Sequence, residues 1–412
     1  MIAYGIVGIG GFAATWVRCL ASLERQGVAR LAAAVVRNRP KYAAEVARLE
    51  ERGCKLYSSL EELLERGRGA IDIIGVPTGI PYHAPMTIQA LRAGYPVLVE
   101  KPVAATIQEV RAMEEAERAS GQWCAVGYQW IYSPTMRWLC ERLAEGRLGA
   151  MREARAAIAW PRAAGYYARN PWAGQLRVED HWVLDGPATN ATAHYLTNLI
   201  YLAGVPSWEA ARVTAVRAEL YRSKPITSYD TSCIELHLAG GARLLHLVSH
   251  ALAESSDPLT EIFCEKGRIR WEHTHDSAEI HYADGSVARY ANPDPSTLHE
   301  LPFAQVARVA AGLEPKPLCG LAEGGPHVLA INLAFESNKG VTVVPEQYCR
   351  TQLASDGTPL VRIRDMEEVL RRAFAEGRLF SEVGAPWARA SSLVEAAGYE
   401  RFPSAALEAA LA

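Results

Sequence analysis

Apolar residues follow two rhythms along this chain of 412 residues, and the change from one to the other organises it. Over the first 128 positions, short apolar runs alternate with stretches in which apolar residues recur at steps of three and four. The runs are IAYGIV (2–7), RLAAAVV (30–36), AIDIIGV (70–76), YPVLVE (95–100) and WCAVGY (123–128), and they predict strands buried on both faces. The intervening stretches predict amphipathic helices. Phe12, Trp16, Leu20 and Leu23 mark the first, and Ser59-Leu60-Glu61-Glu62 is a capping-box start for a short one. PYHAPMTIQALRA stops at Gly94, and TIQEVRAMEEAERAS stops at Gly121. Strand and helix in strict alternation predict a doubly wound, mostly parallel sheet.

From 208 to 290 the period becomes two, in SCIELHL, ARLLHLVSH, EIFCEKGRIRWEH and AEIHYADGSVARY, with Gly-Gly, Lys-Gly and Asp-Gly at the turns. That pattern predicts a hairpin-rich antiparallel sheet. Ahead of it, LDGPATNATAHYLTNLIYLAGVP (184–206) has the proline start and glycine stop of a helix. The last seventy residues carry two amphipathic patterns, DMEEVLRRAFAEG and PWARASSLVEAAG, which predict two helices. The length exceeds what one core organises. We expect an α/β domain over 1–125, an α+β domain with an open, mostly antiparallel sheet over 126–340, and a helical extension over 341–412. A sheet of that size needs its outer face covered, which predicts a homodimer or homotetramer joined through it.

Charge narrows the partners. The formal net charge is −3, so no basic excess draws in nucleic acid or acidic lipid, and small ligands are the expectation. Eight scattered cysteines, none in a CxxC pair, point to reduced thiols in a cytoplasm. No stretch approaches the roughly 18 apolar residues of a membrane span, and MIAYGIVGIGG lacks a basic leader region, so the expected location is cytoplasmic.

Gly8-Ile9-Gly10-Gly11-Phe12-Ala13 lies between the first strand and the first helix, a GxGxxA pattern in the context that dinucleotide binding requires. Gly8 permits the tight turn, Gly10 a close backbone approach to a pyrophosphate, and Ala13 close packing of helix on strand. At the end of the second strand, where NAD sites usually have an acidic residue, the chain reads Arg37-Asn38-Arg39 with Lys41 nearby, which favours the 2′-phosphate of NADP over NAD. The fifth run breaks at Glu100-Lys101-Pro102, placing a charged pair at a strand's carboxyl end.

In the 184–206 segment, Asn190, His194, Thr197 and Asn198 are spaced to share one helix face, and no charge occurs between Asp185 and Glu209. An uncharged polar stripe of this kind belongs in a core or a cleft. Upstream, AWPRAAGYYARNPWAG gathers Trp160, Arg162, Tyr166, Tyr167, Arg169, Asn170 and Trp172, the rings and polar heads that a sugar site uses, with His181 a further candidate contact. His246 with His250, and His273 with His275, share strand faces, but no carboxylate or cysteine stands at ligand spacing, so no metal is expected.

The glycine pattern, the VPTGIPYH loop (76–83) and Glu100-Lys101-Pro102 together resemble the Gfo/Idh/MocA oxidoreductases, and GYQWIYSP (127–134) and GRLGAMREA (146–154) resemble that family's passage into its second domain. The resemblance implies a Rossmann domain followed by a sheet domain, and hydride transfer between NAD(P) and a sugar- or polyol-like hydroxyl or carbonyl. It implies cofactor contacts from Gly8, Gly10, Gly11, Phe12, Ala13, Arg37, Asn38, Pro77, Thr78, His83, Glu100, Lys101 and Gln129. Lys101 would assist proton transfer, which suits an ammonium beside developing alkoxide charge. His194 matches the family's proton-carrying histidine. The acidic residue that the family carries four positions earlier is Asn190 here, so a scheme that needs a carboxylate must look to Asp185, one turn earlier, or dispense with it. Trp160, Tyr166, Tyr167, Trp172, His181, His194 and Lys101 are the expected substrate contacts. Redox-assisted cleavage of the NAD-dependent glycosidase kind, and a non-catalytic NADP(H)-binding sensor or scaffold, are the alternatives.

Overall fold

The computed structural model describes residues 1–411, which divide into two compact units. The first comprises Met1–Ser133 and Ser296–Gly325; the second runs from Pro134 to Pro295 and from Pro326 onward.

In the first unit, β1 (Ile2–Val7), β2 (Ala29–Val35), β3 (Lys55–Tyr57), β4 (Ile73–Val76), β5 (Val97–Val99) and β6 (Cys124–Val126) form one sheet in the order β3-β2-β1-β4-β5-β6. All its pairs are parallel, so the carboxyl ends of all six strands open on one edge. The order reverses between β1 and β4, the switch point at which such sheets bind ligands. The expected helices are present at Ala13–Arg25, Leu60–Arg66, His83–Arg92 and Ile107–Ser120, the last with a Thr106/Glu109 capping box and Gly121 left-handed at its end. The stretch 296–325, which the sequence pattern assigns to the second domain, instead returns to this unit. Its helix Leu301–Ala310 covers apolar surface on the first helix: Phe303 meets the Trp16 ring edge-on at 4.7 Å, and its carbonyl accepts from Tyr4 Oη at 2.8 Å. Cys319 O accepts from Val126 N at 2.8 Å, so the same return satisfies the open edge of β6.

The second unit contains a sheet built on β7 (Met151–Ala159), β10 (Val213–Arg222), β11 (Thr231–Leu238), β12 (Arg243–Ser249), β13 (Ser256–Cys264), β14 (Gly267–Glu272), β15 (Ser277–Tyr282), β16 (Val287–Ala291) and β17 (Thr342–Val343). β8 (Arg177–Val178) and β9 (His181–Trp182) form a separate small hairpin, as do β18 (Cys349–Leu353) and β19 (Pro359–Ile363). The large sheet runs β16-β15-β14-β13-β7-β12-β11-β10-β17, with β20 (Val394–Glu395) also paired to β10. Only β7–β12 and β10–β17 are parallel; the remaining pairs are antiparallel.

One sheet face shows how the extension is used. Directly opposed residues on successive strands form a row, Arg289, Glu279, Arg270, Glu261 and Arg155, in which the sign of charge alternates. At β12 the row reaches Leu245, and Leu245, Leu247 and Cys233 pack under Met366, Leu370 and Phe380. The helix Met366–Glu376 therefore covers the apolar part of this face with the chain itself, where the sequence reading invoked another subunit. Arg155 Nη1 bonds the carbonyls of Phe374 and Ala375 at 2.7 and 2.8 Å, a cation at the carboxyl end of that helix. The second tail helix, expected over 386–398, does not form. Trp387 packs edge-on against Tyr221 at 4.9 Å, Arg389 N bonds Tyr221 Oη at 2.9 Å, and Val394–Glu395 pairs with β10. Backbone groups that find partners on an open sheet edge have no need of a helix.

Candidate functional site

The carboxyl edge of the parallel sheet gathers most of the expected cofactor contacts. Gly8 and Gly11 have φ of +95° and +59°, a region glycine enters without penalty. At Gly10 the requirement is space, since a Cβ there would lie 2.2 Å from Tyr42 Oη. Phe12 stands at the N-terminus of the Ala13–Arg25 helix and offers no side-chain cap; Ala14 N and Thr15 N turn back to Gly11 O and Phe12 O at 3.2 and 2.9 Å, which leaves the amides ahead of Ala14 for an anion. Ala13 is buried against the sheet. After β4, Pro77 is buried, and Thr78 Oγ1 is buried with no hydrogen-bond partner. The cradle before an uncapped helix and the orphaned hydroxyl both fit a dinucleotide.

His83 takes a bracing position instead. Its ring is 1% exposed, with Nδ1 2.7 Å from Pro102 O and Nε2 3.1 Å from Thr78 O. Burial holds its pKa down at about 4, and a neutral ring has one N–H to give. The ring is wedged between the loop after β4 and the loop after β5, and its one N–H bonds the carbonyl of one loop at a time. Glu100 turns inward, buried against Trp16 and Gly127, and accepts from Lys101 N at 2.9 Å. Burial pushes its carboxyl up to about 7 against the opposing pull of Lys101. Lys101 is half-buried, and the Lys101–Pro102 peptide is cis. Phe12, Trp16, Glu100, Gln129, His299 and Phe303 line one pocket of this unit. Arg37 and Asn38 are exposed after β2; Asn38 Oδ1 accepts from Lys41 N at 3.1 Å, and Arg39 bonds Leu56 O at 2.8 Å.

The second constellation departs from one continuous helix. Pro187–Ala191 is a π-helical turn, Thr192 leaves helical geometry at φ −118°, and the α-helix spans Ala193–Ala203. Asn190 therefore does not share an α-helical face with His194, Thr197 and Asn198, all three of which are buried. Three buried side chains from elsewhere hold the turn. Tyr229 Oη meets Thr189 N at 3.0 Å and its Oγ1 at 2.8 Å, His327 Nε2 lies 2.9 Å from Ala188 O, and His246 Nε2 lies 3.4 Å from Thr192 Oγ1. A π turn needs such external support and often marks a functional site. At the turn's entry Gly186 is mandatory in practice, because a Cβ would sit 2.4 Å from the Tyr229 ring.

Asp185 and Asn190 act as a unit. Asp185 is 3% exposed; Oδ1 accepts from Asn190 Nδ2 at 2.9 Å, and Oδ2 accepts from Gly174 N at 2.7 Å with Arg169 Nη2 at 3.8 Å. The carboxylate that position 190 lacks is thus supplied five residues earlier, in direct contact with the asparagine.

The aromatic segment after β7 forms a ladder of rings and guanidiniums. Arg162 lies over Trp160 and Tyr166 at 5.5 and 5.1 Å, and Arg169 over Tyr166 and Trp172 at 3.7 and 5.5 Å. Tyr167 Oη is 3.0 Å from His250 Nδ1, and Trp160 meets Tyr195, the neighbour of His194, edge-on at 5.8 Å. His181 stands apart, exposed on the β8–β9 hairpin. The strand histidines go separate ways, His246 to Thr192 and His273 to Thr260 Oγ1 at 3.0 Å. Sequence reasoning missed Tyr42, Tyr229 and His327. Only His327, a lone imidazole in the apolar stretch HVLAINLAF, carried any signal.

Comparison with known proteins matches residues 2–128 to the model of an oxidoreductase family with an NAD-binding Rossmann fold, and residues 136–270 to a GFO/IDH/MocA C-terminal domain. A 1,5-anhydro-D-fructose reductase of Ensifer adhaerens is 31% identical over 191 residues, 45% of this chain and 54% of that protein. The chain thus spans about half the length of that curated relative. Among solved structures, levoglucosan dehydrogenase in complex with NADH superposes with a TM-score of 0.68 at 18% identity, covering 82% of this chain and 96% of the other. The WlbA dehydrogenase of Bordetella pertussis, in complex with NADH and UDP-GlcNAcA, gives a TM-score of 0.65 at 22% identity with the same coverage. These two likenesses establish the fold.

Proposed function

Because the chain belongs to the Gfo/Idh/MocA oxidoreductase family, we propose that it is an NAD(P)-dependent dehydrogenase or reductase acting on a sugar- or polyol-like hydroxyl or carbonyl. The observation that carries this reading is Lys101 at the carboxyl end of β5, on the sheet edge that also bears the glycine turn after β1. The nicotinamide cofactor supplies or accepts the hydride; the chain's residues bind, orient and move protons.

In this reading Gly8, Gly10 and Gly11 admit the pyrophosphate, with Phe12 and Thr78 at its margins. Exposed Arg37 and Lys41, with no acidic residue between 36 and 42, support NADP over NAD. Lys101 polarises the reacting oxygen, and its charge stabilises the developing alkoxide. His194 carries the proton. Asn190 presents its amide to a substrate hydroxyl while Asp185 fixes its orientation, and Trp160, Tyr166 and Trp172 stack against sugar faces. Support for a sugar-like substrate comes from the name of the Ensifer relative, a reductase of an anhydro sugar.

The test is titration with NADPH and NADH by cofactor fluorescence, followed by a panel of keto-sugars and polyols on wild type, Lys101→Met and His194→Gln. Both variants should bind cofactor and lose turnover by about 10²–10⁴-fold, the range of general acid–base groups. Turnover equal to wild type would remove that side chain from the mechanism. A stoichiometric change at the nicotinamide band separates net oxidoreduction from redox-assisted cleavage.

A further inference from the structure

The ring-and-guanidinium ladder holds more positive charge than its own carboxylates neutralise. Three cations surround His250: Arg162, Arg169 and Lys224 all act on its ring, and His250 O accepts from Arg162 N at 3.1 Å and from Lys224 Nζ at 3.0 Å. Two carboxylates answer them, Asp185 at 3.8 Å from Arg169 and Asp230 at 4.0 Å from Lys224. Asp230 is already committed, its Oδ2 accepting from Ser223 N and Lys224 N at 2.7 and 3.0 Å. His250 adds no further positive charge, because burial and its cationic neighbours keep it neutral. One positive charge is left over, and it belongs to Arg162.

Arg162 is half-buried, and among the described residues no carboxylate lies within 4 Å of it. Among the described residues its guanidinium bonds uncharged groups of its own segment, Pro161 O from Nη1 at 3.2 Å and the Tyr166 side chain, while Nε is buried with no partner there. His250 Nε2, on a side chain 2% exposed, is likewise buried without one. A guanidinium enclosed by Trp160 and Tyr166 with its charge unanswered is costly in isolation and suits an anion from outside. The charge excess is single, and the Nη1–Nη2 edge of the guanidinium is a planar fork, which matches a carboxylate; a phosphate dianion would overshoot the charge. The flanking rings match the apolar face of a pyranose or an extended polyol.

We propose that Arg162, with Arg169 beside it, is a recognition site for a carboxylate, so that the substrate of this chain is a sugar acid and not a neutral sugar. The proposal rests on the sugar-oxidoreductase reading for its sugar ring and on the ladder alone for its carboxylate.

Calorimetric titration of the full chain with saturating NADPH tests it, using D-glucuronate, D-galacturonate and D-gluconate, each against its uncharged counterpart. At least one acid should bind wild type about 10- to 100-fold tighter than its neutral partner, the worth of a charge-assisted pair. The preference should fall to within about threefold in Arg162→Gln and recover in part in Arg162→Lys, which keeps charge and loses the fork. Thermal melting of the variants confirms folding. If no acid outbinds its neutral counterpart in wild type, or if Arg162→Gln leaves the preference intact, the carboxylate site is wrong. Turnover of neutral polyols without acid preference sinks this inference alone, whereas Arg162-dependent acid binding without any nicotinamide turnover sinks the oxidoreductase reading and leaves the site standing.

Discussion

Exchanging the residues at 185 and 190 tests whether the buried pair works as one hydrogen-bonded unit. Asp185 accepts from Gly174 N at 2.7 Å and from Asn190 Nδ2 at 2.9 Å. In Asp185→Asn one oxygen becomes an amide, so one donor must face another donor in a site 3% exposed. A buried hydrogen bond to a charged group is worth about 1.5–3 kcal/mol, and the single variant should lose about that much. Asn190→Asp alone sets two carboxylates against each other at hydrogen-bond distance, forcing one to hold a proton. The double variant restores the pattern: the amide now at position 185 would accept from Gly174 N and donate to the carboxylate now at position 190. Arg169 Nη2, at 3.8 Å and on a side chain 29% exposed, loses its counter-ion in the swap, which limits recovery by about 0.5–1 kcal/mol. Denaturant unfolding of the four proteins gives the coupling energy, expected at about 2 kcal/mol or more. Single effects that add to within about 0.5 kcal/mol would refute a direct bond between the two side chains.

Other consequences follow from packing and burial. Gly186→Ala places a Cβ 2.4 Å from the fully buried Tyr229 ring and should cost about 1–3 kcal/mol, read as a fall in Tm; an unchanged Tm means the turn is not clamped as described. Glu100 holds a proton up to about pH 7 when folded and ionises near its ordinary value of 4.5 when unfolded, so it penalises folding increasingly as pH rises from 4.5 to 7. Glu100→Gln should therefore gain stability over wild type through that window, on the order of 3 kcal/mol in all, and level off above it; parallel pH profiles would contradict the assignment. His246 and His273, both held down to about 3 by burial, stay neutral folded but take a proton near 6.5 unfolded. Stability of the second unit should fall as pH drops from 6.5 towards 3, by up to about 1.4 kcal/mol per pH unit for each histidine, and His273→Leu should lessen the slope. An unchanged slope in that variant would show the ring is not titrating as inferred.

Much of the first unit was legible because its signals are local. The run IIGV can satisfy its burial only inside a sheet, and Gly8 and Gly11 sit where positive φ is required. The candidate site was legible in part. Lys101, Glu100 and the ring-rich segment announce themselves by residue type, and Asp185 stands five positions ahead of Asn190 in the chain. The π turn was hidden, because PATNATAHYL reads as unbroken helix until Tyr229, His246 and His327 arrive from three other elements to hold it open. The extension misled in the same way: PWARASSLVEAAG has helical spacing, yet its backbone pairs with β10.

What the amino-acid order alone determined is everything decided within about a dozen neighbours: the strand and helix alternation, the glycine turn, the lysine closing β5, and the uncharged stretch around His194. Tertiary structure decided which distant groups complete them. It matched Asp185 to Asn190, covered Leu245 with Met366 from the chain's own tail, and set Arg162 among aromatic rings with no carboxylate within 4 Å among the described residues. The reason is energetic. Periodicity encodes which side of an element avoids water, whereas a buried charge or amide is stable only with a partner, and that partner is chosen by the whole fold.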